Sequence, residues 1–81
     1  MALTCTHDMV INILATKVGV PANTPSIHTA DWEALGVESL GLSEAVATLS
    51  LTLGIDLPHE EALITRNVSD LVALVNAYAQ F

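Results

Sequence analysis

Apolar residues recur at the spacing of a helix face in three stretches of this chain, and each stripe needs another to cover it. The first carries Leu3, His7, Val10, Ile11, Leu14 and Val18, which predicts an amphipathic helix running to about Lys17 or Val18. Gly19 supplies its stop signal, with Pro21 two residues on. The second stripe starts at Ser39 and aligns Leu42, Ala45, Val46, Leu49 and Leu53 before Gly54 ends it. Ile55-Asp56-Leu57-Pro58 then reads as an extended link, with Pro58 suited to the first position of a short helix through Leu63. A last helix is capped by Asn67, with Asp70 at its third position in a capping-box-like arrangement. It buries Val68, Leu71, Val72, Val75 and one of Tyr78 or Ala79. Between the first two helices, Val20 to Val37 has no sustained period and reads as a long connection with one helical turn near Asp31 to Leu35. A connection this long has to be pinned, and Trp32 and Leu35 are the side chains to pin it. The expected fold is all-α: a small four-helix bundle of three long helices and one short, a single domain over residues 1–81.

At 81 residues the chain can hold one small core, which excludes any large enzyme scaffold. Apolar residues make up 52% and charged residues only 14%, against about 25% charged in typical domains, so the chain is expected to fold. Nine carboxylates face two bases, Lys17 and Arg66, for a net charge of −7. That balance argues against nucleic acid and anionic membranes as partners and points to basic protein surfaces. The single Cys5 cannot close an intramolecular disulfide, which suits a reducing compartment. No charged n-region precedes Lys17, and no apolar run approaches the roughly 20 residues of a membrane span. A cytoplasmic location is expected.

The segment Leu35-Gly36-Val37-Glu38-Ser39-Leu40 places a glycine turn before an acid and a serine that opens a helix. Alone, such a serine reads as an N-cap. In its context it resembles the Leu-Gly-x-Asp-Ser-Leu signature of the acyl carrier protein family, departing from it only at Glu38. Gly54-Ile55-Asp56-Leu57-Pro58 is similar to the link before that family's third helix, and Val68-Ser69-Asp70-Leu71-Val72 to the opening of its fourth. The resemblance covers roughly residues 31 to 76, in order and at the right spacing. It implies that Ser39 accepts a 4′-phosphopantetheine arm from coenzyme A through a separate magnesium-dependent phosphopantetheinyl transferase. The arm's thiol would hold an acyl or aminoacyl group as a thioester. A helix N-terminus suits the phosphodiester, favouring its charge by about 0.3 to 1 kcal/mol at an exposed site. The resemblance also implies that the acid at position 38 assists transfer by helping to hold magnesium and coenzyme A. Glu38 keeps that charge and adds one methylene of reach.

By the same resemblance the chain is a monomeric shuttle and not an enzyme. Its partners would be the transferase, an acyltransferase or adenylating loading enzyme, and a ketosynthase or other pathway enzymes. The Leu-Gly-Val-x-Ser-Leu context looks more like a discrete polyketide-type carrier than a fatty-acid one, while Val37 departs from the Gly-Gly-(His/Asp)-Ser-Leu of peptidyl carriers. An aminoacyl cargo stays open. A chain starting at Met1 without long flanking linkers suggests a free-standing protein.

The second helix is the docking surface in this family, yet between Leu40 and Leu53 only Glu44 is charged here. At 100° per residue, Leu40, Glu44, Ala47 and Leu51 fall opposite Leu42 and Leu49. The expected docking face is therefore an apolar ridge around one acid, less sensitive to salt than a strongly acidic one. Gly41 either leaves room for the arm or a partner, or is a tolerated weak point costing roughly 0.5 to 1 kcal/mol. An esterase elbow needs glycine where Val37 stands, and His59-Glu60-Glu61 lacks the second histidine of a zinc protease, Leu63 standing in its place. Cys5 and His7 are poorly spaced for structural zinc, and no metal site is expected. The competing class is an unmodified helical adaptor that keeps the carrier fold and acts by protein binding. A bundle that binds free hydrophobic ligands has only composition in its favour.

Overall fold

The computed structural model describes residues 5–79, with backbone alone at Ala79. Four α-helices follow one another: α1 (His7–Ile13), α2 (Ser39–Leu53), α3 (His59–Leu63) and α4 (Val68–Ala79). The expected all-α bundle of three long helices and one short is what the described residues form, with one change at the first helix. Its α-helical part starts at His7, where Thr6 caps it by accepting the Met9 N–H on its hydroxyl at 3.1 Å. Leu3, expected on the same stripe, lies outside the described residues.

The helix does not continue as an α-helix to Lys17 or Val18: Leu14–Val18 is a π-helical turn. Within the turn the Thr16 hydroxyl donates back to the carbonyls of Asn12 and Ile13 at 2.9 and 3.4 Å. Thr48 makes the same bond to the Glu44 carbonyl at 2.9 Å inside α2, which stays α-helical, so back-bonding accompanies the turn and does not set it. Gly19, at φ 89°, closes the turn by donating to the Leu14 carbonyl at 2.8 Å, with Val20 donating to the same oxygen at 3.1 Å.

The long connection is pinned where expected and also elsewhere. Trp32 is buried, donates its backbone N–H to the Arg66 carbonyl at 2.9 Å, and donates its indole N–H to the Thr65 hydroxyl at 3.2 Å. Leu35 is half-buried against the core, and the turn expected at Asp31 to Leu35 is closed by Leu35 N–H on the Asp31 carbonyl and Val37 N–H on the Trp32 carbonyl. Ile27, not foreseen, is a further buried pin. Ser69 adds another, since its N–H and its hydroxyl both donate to the His28 carbonyl, at 3.2 and 3.0 Å. The same hydroxyl lies 3.3 Å from His7 Nε2, so three chain segments meet at Ser69.

The core is built from Val10 and Leu14, from Val46 and Leu49 of α2, and from Val68, Leu71 and Val75 of α4, all fully buried. Tyr78 is half-buried, and its hydroxyl donates to the Glu61 carboxylate at 2.8 Å, tying α4 to α3. That hydrogen bond to Glu61 comes first, ahead of desolvation and Coulomb repulsion, in pushing the Tyr78 phenol above its ordinary pKa. Asn67 caps α4 as expected by accepting the Asp70 N–H at 2.9 Å, while the Asp70 carboxylate reaches back to the Arg66 N–H at 3.1 Å. Pro58, expected at the first position of α3, is instead its N-cap with ψ 109°, and its carbonyl accepts the Ala62 N–H. The Asn76 side chain clamps the backbone of Cys5 from both sides, accepting its N–H at 2.7 Å and donating to its carbonyl at 3.0 Å. Burial there pushes the Cys5 thiol up.

Replacing Trp32 by Ala should cost about 3–5 kcal/mol in urea unfolding, by loss of the buried ring. Trp32→Phe, which loses only the indole hydrogen bond and some area, should cost about 1 kcal/mol. A cost for Trp32→Ala below about 1 kcal/mol would show that the connection is held by something else.

Candidate functional site

The expected attachment residue opens α2 without capping it. Glu38 is the N-cap, with φ −90° and ψ 170°, and its carbonyl accepts the first helical bond from the Leu42 N–H at 2.9 Å. Ser39 is therefore the first helical residue, which corrects the view that a serine here serves as an N-cap. No side-chain hydrogen bond is made by the N-cap, so the amides of the first turn face outward with the positive end of the helix dipole. Ser39 and Glu38 are both exposed. A nucleophilic hydroxyl in that position is open to an approaching enzyme, and a negative group attached to it would lie beside uncompensated N–H groups.

Two open hollows flank this point. One, of about 450 Å³, is lined by Glu33, Gly36, Val37, Glu38 and Ser39. The other, of about 270 Å³, shares Gly36 and Glu38 and adds Lys17, Val18, Leu40, Gly41 and Glu44. Gly36 sits at φ 76°, a backbone conformation that glycine adopts without penalty, and it turns the chain into Glu38 and Ser39. Gly41 has a reason that neither sequence-based alternative named. A Cβ there would stand 3.1 Å from Val18 Cγ1 and 3.9 Å from Val37 Cγ1, so the space is taken by the chain's own π-helical turn.

The residues expected to form the docking face share the outer side of α2. Leu40 and Leu51 are 81% and 86% exposed, and Glu44 and Ala47 are exposed between them. Leu42 and Leu49 are buried on the opposite side. Ile64, 79% exposed just after α3, was not picked out from the sequence because it follows the helix's periodic stretch. Among the described residues no three His, Cys, Asp or Glu side chains gather as metal ligands. His7 instead lies against His28, ring centroids 4.9 Å apart, beside Ser69.

Residues 8–75 match the family model described as the phosphopantetheine attachment site. The chain belongs to that family. The fold is similar to that of the actinorhodin polyketide synthase acyl carrier protein of Streptomyces coelicolor in several solution structures. The 3,5-dioxohexyl form superposes with a TM-score of 0.84 at 24% identity over 98% of this chain and 95% of the other. The 3-oxo-butyl form gives 0.82 at 26% identity, and the holo protein of the same carrier 0.80 at 24%, each with the same coverage. This carrier accordingly bears a covalent phosphopantetheine group and holds acyl intermediates on it. The site's chemistry fits such a group: an exposed hydroxyl, an N-terminus whose cap leaves its amides free, and open space on both sides. No helix among the described residues is long and apolar enough to cross a membrane.

The contact of Gly41 with Val18 predicts an energetic coupling. Gly41→Ala in a Val18→Ala background should stabilise the carrier by about 0.5–1 kcal/mol, the gain in helix propensity alone. In the wild-type background the same substitution should gain less or lose stability. Identical effects in the two backgrounds, measured by urea unfolding, would mean that the close approach is not felt.

Proposed function

We propose that Ser39 is the point at which phosphopantetheine is attached and that the carrier serves a polyketide-type pathway. The observation that carries this is the position of Ser39: exposed, first in α2, and preceded by a cap that leaves the first-turn amides unengaged. The motif Leu35-Gly36-Val37-Glu38-Ser39-Leu40 supports the same assignment, and the likeness to a polyketide synthase carrier supports the pathway class. When attached, the arm supplies a terminal thiol that carries acyl groups as thioesters. The chain's own residues do the rest. Ser39 offers its hydroxyl, the first turn of α2 stabilises negative charge beside it, and the Glu38 carboxylate, unused by the cap, is available to the transferase and its magnesium.

The partners would be a phosphopantetheinyl transferase, an acyltransferase or adenylating loading enzyme, and a ketosynthase, met by a monomer in the cytoplasm. They would dock on the ridge of Leu40, Glu44, Ala47 and Leu51. With one acid on this ridge, apolar contact contributes most of the affinity. Leu51→Ser should weaken binding to a cognate ketosynthase about tenfold, the equivalent of losing a largely buried leucine. Raising salt from about 50 to 300 mM should change the affinity less than that, because screening acts on charges. A collapse of binding over that salt range would refute the apolar ridge.

Intact mass after incubation with coenzyme A, magnesium and a broad-specificity transferase tests the attachment point. The wild type should gain one phosphopantetheine and Ser39→Ala none. No gain by the wild type with several transferases would turn the assignment toward an unmodified adaptor.

A further inference from the structure

We infer that Lys17 is the positioning cation for the phosphodiester on Ser39, drawing the base of the arm to the side of α2 that faces the π-helical turn. The inference rests on Ser39 being the attachment point and adds a residue to it. Lys17 is the only lysine in a chain of nine carboxylates and two bases. It falls in the π-helical turn, directly before Val18, whose side chain would meet a Cβ at Gly41 at 3.1 Å. The missing side chain at Gly41 thus brings the end of the first helix against the first turn of α2. Lys17 consequently lines one hollow with Glu38, Leu40, Gly41 and Glu44.

The two hollows beside Ser39 differ in charge. The one that Ser39 itself lines has the carboxylates of Glu33 and Glu38 and no cation. The other, which shares Glu38, is lined by the carboxylates of Glu38 and Glu44 and also by Lys17. A phosphodiester on Ser39 adds a negative charge next to Glu38. Toward Glu33 it meets only like charge, whereas toward Lys17 it meets an ammonium whose flexible four-carbon stem can reorient without moving backbone. A phosphate on Ser39 would give Lys17 a further anionic partner beside Glu38, next to first-turn amides of α2 that no N-cap side chain engages. Val18 and Leu40 offer apolar surface beside that charge for the arm that follows.

A single lysine makes the test direct. Protein labelled with ¹³C at the lysine ε-carbon gives one Lys17 signal, whose chemical shift is compared in the apo protein and in the loaded protein after the arm's thiol has been alkylated. Loading is established separately by intact mass. The Lys17 signal should move on loading, and the move should be absent from a Ser39→Ala control treated in the same way. The ³¹P signal of the loaded Lys17→Gln variant should move away from that of the wild type, and Lys17→Arg should bring it back. A loaded protein whose Lys17 signal stays at its apo position, or a loaded Lys17→Gln variant whose ³¹P signal coincides with that of the wild type, overturns the role of Lys17 and leaves the attachment point standing. A wild type that gains no mass overturns the attachment point and this inference together.

Discussion

The anchoring of Trp32 is the constraint on which the rest depends. A connection of eighteen residues, Val20 to Val37, separates the end of the first helix from the start of α2, and it has no sustained period of its own to set its path. Burying one indole while tying its N–H to Thr65 and its backbone to Arg66 fixes the connection against the segment that precedes α4. From Trp32 the chain has one turn, closed by Val37 N–H on the Trp32 carbonyl, before it reaches Glu38. Where Ser39 stands relative to the bundle is thus decided seven residues upstream, by a side chain with no chemistry of its own.

The role proposed for Ser39 is likewise positional. Any exposed serine has a hydroxyl, and what distinguishes this one is that the preceding residue supplies the carbonyl that starts the helix. The amides of the first turn are left to face whatever group Ser39 would carry. The close approach of Val18 to Gly41 then sets the shape of the ground beside it, and Val18 is the last residue of the π-helical turn. Scaffold and site are connected through short steps of this kind.

Much of this was legible in the sequence, because helices with one buried face write themselves as a period. The extents of α2 and of the α4 core, the cap at Asn67 and the pin at Trp32 all follow from residues that act within a few positions of themselves or by sheer size. The π-helical turn was not legible, since Leu14 and Val18 keep their apolar spacing whether the ladder closes at four residues or five. Nor was the clamp of Asn76 on Cys5, whose partners are 71 residues apart and belong to residue types that occupy surfaces everywhere. At the site, Ser39 was recognisable from its neighbours, but its rank in the helix was not. Whether Glu38 or Ser39 caps α2 turns on one ψ angle, and both residues have oxygen to offer. Gly41 could be noticed as unusual, while its reason lay in Val18, a contact that only the folded chain creates.

Glu38 shows a division of labour within one residue. Its main chain begins α2 and its carboxylate takes no part in doing so. A shorter acid at that position, the aspartate of the family signature, can accept a first-turn amide and add a cap of about 1 kcal/mol. Glu38, one methylene longer, makes no such bond, so the helix forgoes a cap and the carboxylate stays free on the surface beside Ser39.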